Sequence, residues 1–190
     1  MQQLRMYWKP QATVWPQPPE GWSYRTYNGT QADAQAWLEI CRNGLLQPQD
    51  GPEVFDACIL SRPDFVPSAL FFVERAGQPV ATVTALLDQD GTGPLHMVGA
   101  LPASRGCGVG GLLCRMGQAS MWERGCRRAY LTTDDFRIPA VKSYLSAGFV
   151  PVEYDEGMAQ RWTALLAQIG RTNVPFVRED GTSAGLLNPA

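Results

Sequence analysis

The sequence predicts a mixed α/β (α+β) domain, one central sheet covered by helices, and three observations carry that reading. Three apolar, β-branched-rich segments follow one another between turn signals in the middle of the chain. A glycine-dense loop then leads into a run with helical spacing over Val109 to Arg124. After it, short strand-like and helix-like segments alternate.

The 190 residues suit one domain, with 45% hydrophobic and 18% charged side chains giving enough apolar material for a core. Sixteen basic against eighteen acidic groups leave a net charge of -2, which supplies no general attraction to nucleic acid. No apolar run reaches the ~18 residues of a spanning helix, and the Pro-rich start lacks a signal-peptide apolar stretch, so no membrane partner and a cytoplasmic location are expected. Five cysteines (Cys41, Cys58, Cys107, Cys114 and Cys126) without a C-x-x-C pair, and one histidine, His96, argue against a disulfide framework and a metal site.

Residues 1–21, rich in Pro, Gln and Trp, read as an extended arm docked by Tyr7, Trp8, Trp15 and Trp22. Residues 22–170 form the predicted domain. Trp22 to Tyr27 alternates as a half-buried strand does. Thr30 and Asp33 resemble a helix N-terminus before a run with Ala34, Trp37, Leu38, Cys41 and Leu45 on one face. A short helix between Pro52 and Ser61 ends before Arg62-Pro63 and Val66-Pro67. Ala69 to Arg75, Pro79 to Leu87 and Leu95 to Leu101 make an antiparallel meander. The helix from Val109 stops at Gly125. Ala129 to Thr133 is a strand, Pro139 to Ala147 a helix ended by Gly148, Phe149 to Tyr154 a strand, and Met158 to Ile169 an amphipathic helix. Residues 171–190 read as a tail.

Chemistry concentrates at Arg105-Gly106-Cys107-Gly108-Val109-Gly110-Gly111, between a strand and a helix. Such a loop presents backbone N–H groups at the positive end of a helix dipole and admits a phosphate closely, though a turn chosen only for backbone freedom would look alike. No Gly-Lys-Ser/Thr follows, which excludes a Walker A loop. Gly106, Gly108 and Gly111 match G-x-G-x-x-G, with Asp134 or Asp135 after the next strand, but a dinucleotide-binding fold fits poorly after a meander and with so little chain to follow.

Arg105-x-x-Gly108-x-Gly110 resembles the pyrophosphate loop, Arg/Gln-x-x-Gly-x-Gly/Ala, of the GCN5-related N-acetyltransferases (GNAT). Downstream, Ala140-Val-Lys-Ser-Tyr144-Leu-Ser-Ala-Gly148-Phe149 is similar to that family's second signature, a tyrosine-bearing helix followed by Gly-Phe entering a strand. The likeness covers residues 67–155 well, with Arg137 standing where the family often has Asn. It implies a GNAT-like acyl-CoA N-acyltransferase fold: a meander, then strand-helix-strand-helix-strand, helices on both faces, and a sheet splayed between the strands ending near Leu101 and Thr133. Acetyl-CoA would lie in that gap without a metal. The loop would hold its pyrophosphate, and Val98, Gly99, Ala100 and Leu101 would bond its pantetheine arm. Bulk at Gly108 or Gly110 would bar the pyrophosphate.

Acyl transfer to an amine needs a free-base nucleophile, stabilisation of developing charge and a proton for the thiolate. The resemblance makes Tyr144 the thiolate acid, with core packing as its other reading. His96 shares strand parity with Val98 and Ala100, which aims it at the acceptor as base or water relay, unless it is a structural residue. Asp134 and Asp135 could bind a cationic acceptor or be solvated loop carboxylates. The expected activity is acetyl transfer from acetyl-CoA to a primary amine of a small molecule or peptide by direct attack in a ternary complex. The rival is a non-catalytic acyl-CoA sensor. Both are compatible with a homodimer.

Overall fold

The computed structural model describes residues 2–188, and its order of elements follows from local patterning. The chain begins with β1 (Leu4–Trp8), whose Leu4, Met6 and Trp8 are buried while Arg5 and Tyr7 face the other side, the period-two pattern of a half-buried strand. Then come β2 (Trp22–Thr26), α1 (Gln31–Cys41) and α2 (Glu53–Phe55), which continues as a π-helical turn over Asp56–Leu60. The Thr30 Oγ1 accepts the Asp33 N–H at 3.3 Å, the N-terminal signature the sequence carries. Asp33 itself is buried and accepts both guanidinium Nη atoms of Arg25, at 2.6 and 2.9 Å.

The meander is β3 (Leu70–Arg75), β4 (Gln78–Ala85) and β5 (Thr92–Ala100), antiparallel throughout. α3 (Val109–Glu123), β6 (Arg128–Thr133), α4 (Ile138–Ser146), β7 (Val150–Glu153), α5 (Met158–Ile169), β8 (Val174–Arg178) and β9 (Ser183–Leu187) complete the fold. The strands form one sheet in the order β2-β3-β4-β5-β6-β1-β7-β8-β9. Antiparallel β3, β4 and β5 rule out the doubly wound parallel sheet of a dinucleotide fold. One apolar cluster gathers the inner faces of α3, α4 and α5, with Leu113, Tyr144 and Trp162 among its members. A second, with Trp37, Phe55 and Phe72, lies under α1 and α2.

Two expectations need correcting. The presumed surface arm over 1–21 supplies β1, which lies inside the sheet, antiparallel to both β6 and β7. Only its later part docks on the surface, where Trp15 stacks on Tyr24 and donates to Glu123 at 2.6 Å. The presumed tail over 171–190 carries the hairpin β8-β9, which extends the sheet beyond β7 and buries Val174, Phe176 and Leu187. Both segments were short runs among prolines and glycines, and each is held by pairing with strands distant in sequence.

The feature that positions the site is a gap in this sheet. β5 and β6 run parallel and pair only over Thr92–Pro94 against Arg128–Tyr130. Beyond that point β6 stays with β1 as far as Thr133, while β5 follows β4 and takes an extra residue between its pairings with Thr84 and Thr82. Met97 absorbs that bulge with φ of 51°, a left-handed conformation that costs a non-glycine residue about 1–2 kcal/mol. The strands separate as a result.

Candidate active site

The gap opens into a cleft of about 520 Å³. Its walls are Val98, Gly99 and Ala100 of β5, the loop and first turn of α3 (Arg105, Gly106, Gly108, Val109 and Gly110), and one face of α4 with Pro139, Ala140, Ser143 and Tyr144. Asn43, Gly44 and Leu45, just after α1, close one side. Among the described residues three cations, Arg105, Arg137 and Lys142, line the cleft and no carboxylate does, although the whole chain is net negative. That lining favours a polyanionic ligand.

The loop is built for backbone contact. Gly108, the residue before α3, has φ of 76° and ψ of 5°, a conformation glycine adopts at no cost, and no side chain caps the helix. The first-turn N–H groups of α3 therefore keep their hydrogen-bonding capacity for an anion at the dipole's positive end. A Cβ at Gly108 would meet nothing within 4 Å, whereas one at Gly110 would come within 2.6 Å of the Ser143 Oγ. Gly110 thus permits α3 to pack on α4, a role the sequence reading gave wholly to phosphate access. Arg105 folds back, donating from Nε to the Ala100 carbonyl (3.2 Å) and from Nη2 to the Asn43 carbonyl (2.5 Å), so it fastens the loop to the end of β5 and to the segment after α1.

Not every residue expected at the cofactor reaches the cleft. Leu101 turns away, its N–H donating to the Val80 carbonyl at 2.8 Å and its side chain joining the cluster under α1. Cys107 is exposed outside the lining, and Gly111 lies within α3 facing Arg115. Conversely, Asn43, Phe136 and Lys142 line the cleft and had not been singled out. Lys142 is legible in hindsight as a cation on the helix that carries Tyr144.

Tyr144 packs its ring edge-on against Phe149, 6.2 Å between centroids, and lines the cleft. Its hydroxyl makes no hydrogen bond among the described residues. Burial pushes that phenol well above its ordinary range, the Cys114 thiol adds to the rise, and the Arg137 charge opposes it. Tyr144 is therefore a hydrogen-bond donor that does not ionise near neutral pH. The neighbouring Cys114 thiol, fully buried, is pushed up to about 12 and is chemically quiet.

His96 departs from its expected position. The extra residue at Met97 reverses the alternation, so His96 pairs across from Thr84 and shares a face with Gly99, on the α1 side of the sheet, and not with Val98 and Ala100. Its imidazole is held below the ordinary value, first by burial and then by the Arg62 charge. Both His96 Nε2 and the facing Thr84 Oγ1 are buried without a partner among the described residues. Asp134 and Asp135, considered for a cationic acceptor, are already paired, with Arg137 at 2.8 Å and Arg161 at 2.5 Å.

Residues 32–149 match the model of the acetyltransferase (GNAT) family. The chain belongs to the GNAT family. The GNAT fold is also seen in a solved GCN5-related N-acetyltransferase from Sphaerobacter thermophilus, which superimposes with a TM-score of 0.65 at 23% identity, over 79% of this chain and 49% of that one. AAC(6')-Iy, solved with a CoA-containing bisubstrate analog, superimposes with a TM-score of 0.53 at 19% identity, over 67% of this chain and 89% of the other. Among curated relatives, the mycothiol acetyltransferase of Thermomonospora curvata is 28% identical over 77% of this chain and 48% of its own length. That of Thermobispora bispora is 31% identical over 78% and 55%. The chain spans about half the length of these relatives. Among the described residues of this GNAT protein, no helix is long and apolar enough to cross a membrane, and no cluster of His, Cys, Asp and Glu could hold a metal ion.

Proposed function

We propose that this chain transfers an acetyl group from acetyl-CoA to a primary amine of a small molecule or peptide by direct attack in a ternary complex. The observation that carries the reading is the parting of β5 from β6 into a cation-lined cleft that ends on an uncapped helix N-terminus. The first turn of α3 takes the pyrophosphate, with Arg105 holding the loop in place. The edge of β5 that β6 leaves unpaired, Val98 to Ala100, offers backbone groups to the pantetheine arm. The Tyr144 hydroxyl, unpartnered in the same cleft, donates to the departing sulfur. That hydroxyl favours an enzyme over a sensor that merely keeps the loop.

His96 serves as base only for an acceptor entering from the α1 face. The two faces communicate where β5 and β6 are unpaired, so a cofactor on one face and an amine on the other can meet. The matched relatives are mycothiol acetyltransferases, which makes deacetylated mycothiol the first acceptor to offer. We place the reaction in the cytoplasm, without nucleic acid or membrane, on the strength of five unpaired thiols and the absence of general basic charge.

The test is amine-dependent release of CoA thiol by the full chain with an amine panel, repeated with Tyr144→Phe. Turnover by the parent, reduced about 10²- to 10⁴-fold in a folded variant with unchanged acetyl-CoA affinity, is the expected result. Tight acetyl-CoA binding without release for any amine would favour the sensor.

A further inference from the structure

We propose that Phe136 stacks on the adenine of CoA and so selects acetyl donors that carry a nucleotide over those held on a bare phosphopantetheine arm. The proposal rests on the acetyltransferase reading above. A lone exposed apolar side chain is ordinary on a protein surface. Of the large apolar side chains exposed among the described residues, however, Phe136 alone lines the cleft, and it is 76% exposed there.

Topology places this residue at the outer end of the cleft. β1 runs antiparallel to both β6 and β7, and β5 runs parallel to β6, so β5, β6 and β7 all point one way. α3 and α4 each return the chain between two of these strands and therefore run side by side in the opposite sense. Gly110, the second residue of α3, faces Ser143, the sixth residue of α4. That offset of four residues starts α4 about 6 Å beyond the tip of α3, at a rise of about 1.5 Å per residue. Phe136 stands two residues farther out again, whereas Tyr144 lies level with the body of α3. The cleft thus runs from Tyr144 past the glycine turn to Phe136.

CoA has the same order. Its thiol and pantetheine arm lead to the pyrophosphate, and beyond the pyrophosphate come a ribose phosphate and adenine. With the pyrophosphate on the first turn of α3, the adenine falls at the outer end, where Phe136 stands. The ring is held in place for a partner. Arg137 Cζ lies 5.4 Å from the ring centroid, and Arg137 is itself fixed by its Nε, which donates to Asp134 Oδ2 at 2.8 Å. A cation thereby backs the ring, and its exposed part is open to a flat π-system. Stacking of a base on an aromatic side chain is worth about 5- to 150-fold in affinity. A phosphopantetheine thioester ends at its phosphate and forgoes that contact.

Calorimetric titration of the full chain tests this with acetyl-CoA, acetyl-3′-dephospho-CoA and S-acetyl phosphopantetheine. Because Phe136 is exposed, Phe136→Ala should fold as the parent does. The parent should bind both nucleotide-bearing donors at least about fivefold more tightly than the phosphopantetheine thioester. Phe136→Ala should lose about 5- to 150-fold toward both of them and stay within about twofold for the thioester that lacks a nucleotide, while Phe136→Trp keeps the parent's preference. An alanine variant with unchanged affinity for acetyl-CoA would overturn the proposal. So would an equal loss for every donor, which would make Phe136 a support of the glycine loop. A loss seen with acetyl-CoA but not with its dephospho form would overturn it too, since the ring would then act only through Arg137 on the ribose phosphate. Absence of acetyl-CoA binding to the parent would instead remove the cofactor reading itself, and this proposal with it.

Discussion

One inserted residue in β5 decides which way His96 looks. Strand parity is readable from sequence only while the strand is regular, and nothing in Leu95-His96-Met97-Val98 announces that Met97 adopts φ of 51°. The Gly108 turn, by contrast, was legible from the glycine spacing at a strand-to-helix junction, and Tyr144 from the resemblance of its helix to a family signature. The lowered titration of the half-buried His96 has a thermodynamic consequence. Because its folded pKa is depressed below the ordinary value of about 6.5, the unfolded chain takes up the proton first on acidification. Its contribution to stability is complete above about pH 6.5 and declines as pH falls from there toward the lowered folded value. The melting temperature of His96→Gln should therefore lose less than the parent's between pH 7.5 and about 5. Equal losses in the two proteins would show that His96 is not buried as a neutral ring.

At the scale of elements, the least legible strands are those whose partners lie farthest away in the chain. β1 pairs with β6 and β7, more than a hundred residues on, and its five residues hold only three apolar side chains of the right parity. β8 contains Pro175, which reads as a strand breaker unless the pairing partner is known. The helices α1, α3 and α5 and the meander, with local periodicity and turn signals, were found within a few residues. Burying Leu4, Met6 and Trp8 is worth about 1.5–3 kcal/mol each. Their sum approaches the ~5–15 kcal/mol by which whole domains are stable. Deleting residues 1–8 should accordingly abolish cooperative unfolding, where loss of a mere surface arm would cost at most a few degrees. Circular dichroism melting of the truncated chain separates the two.

At the scale of the whole molecule, charge is arranged against the average. A chain with net charge -2 gathers Arg105, Arg137 and Lys142 around one cleft and pairs its nearby carboxylates, Asp134 and Asp135, with arginines. Composition supplied no general attraction to nucleic acid and could not reveal this local field, which exists only once β5 and β6 part and α4 turns its face inward. The central claim, that the cleft holds acetyl-CoA with its pyrophosphate on the first turn of α3, is tested by replacing Gly108 with Asn and with Asp. Both side chains tolerate a left-handed backbone, and a Cβ there meets nothing within 4 Å, so both proteins should fold. They differ in one negative charge at the proposed phosphate site, where a like charge 4 Å away costs about 4 kcal/mol at an effective dielectric of 20. Calorimetric titration of acetyl-CoA should show the parent binding, Gly108→Asn weakened, and Gly108→Asp weaker than Gly108→Asn by at least about tenfold, or about 1.4 kcal/mol. Equal affinity in the folded Asn and Asp variants would contradict the account, because no pyrophosphate could then lie against that turn.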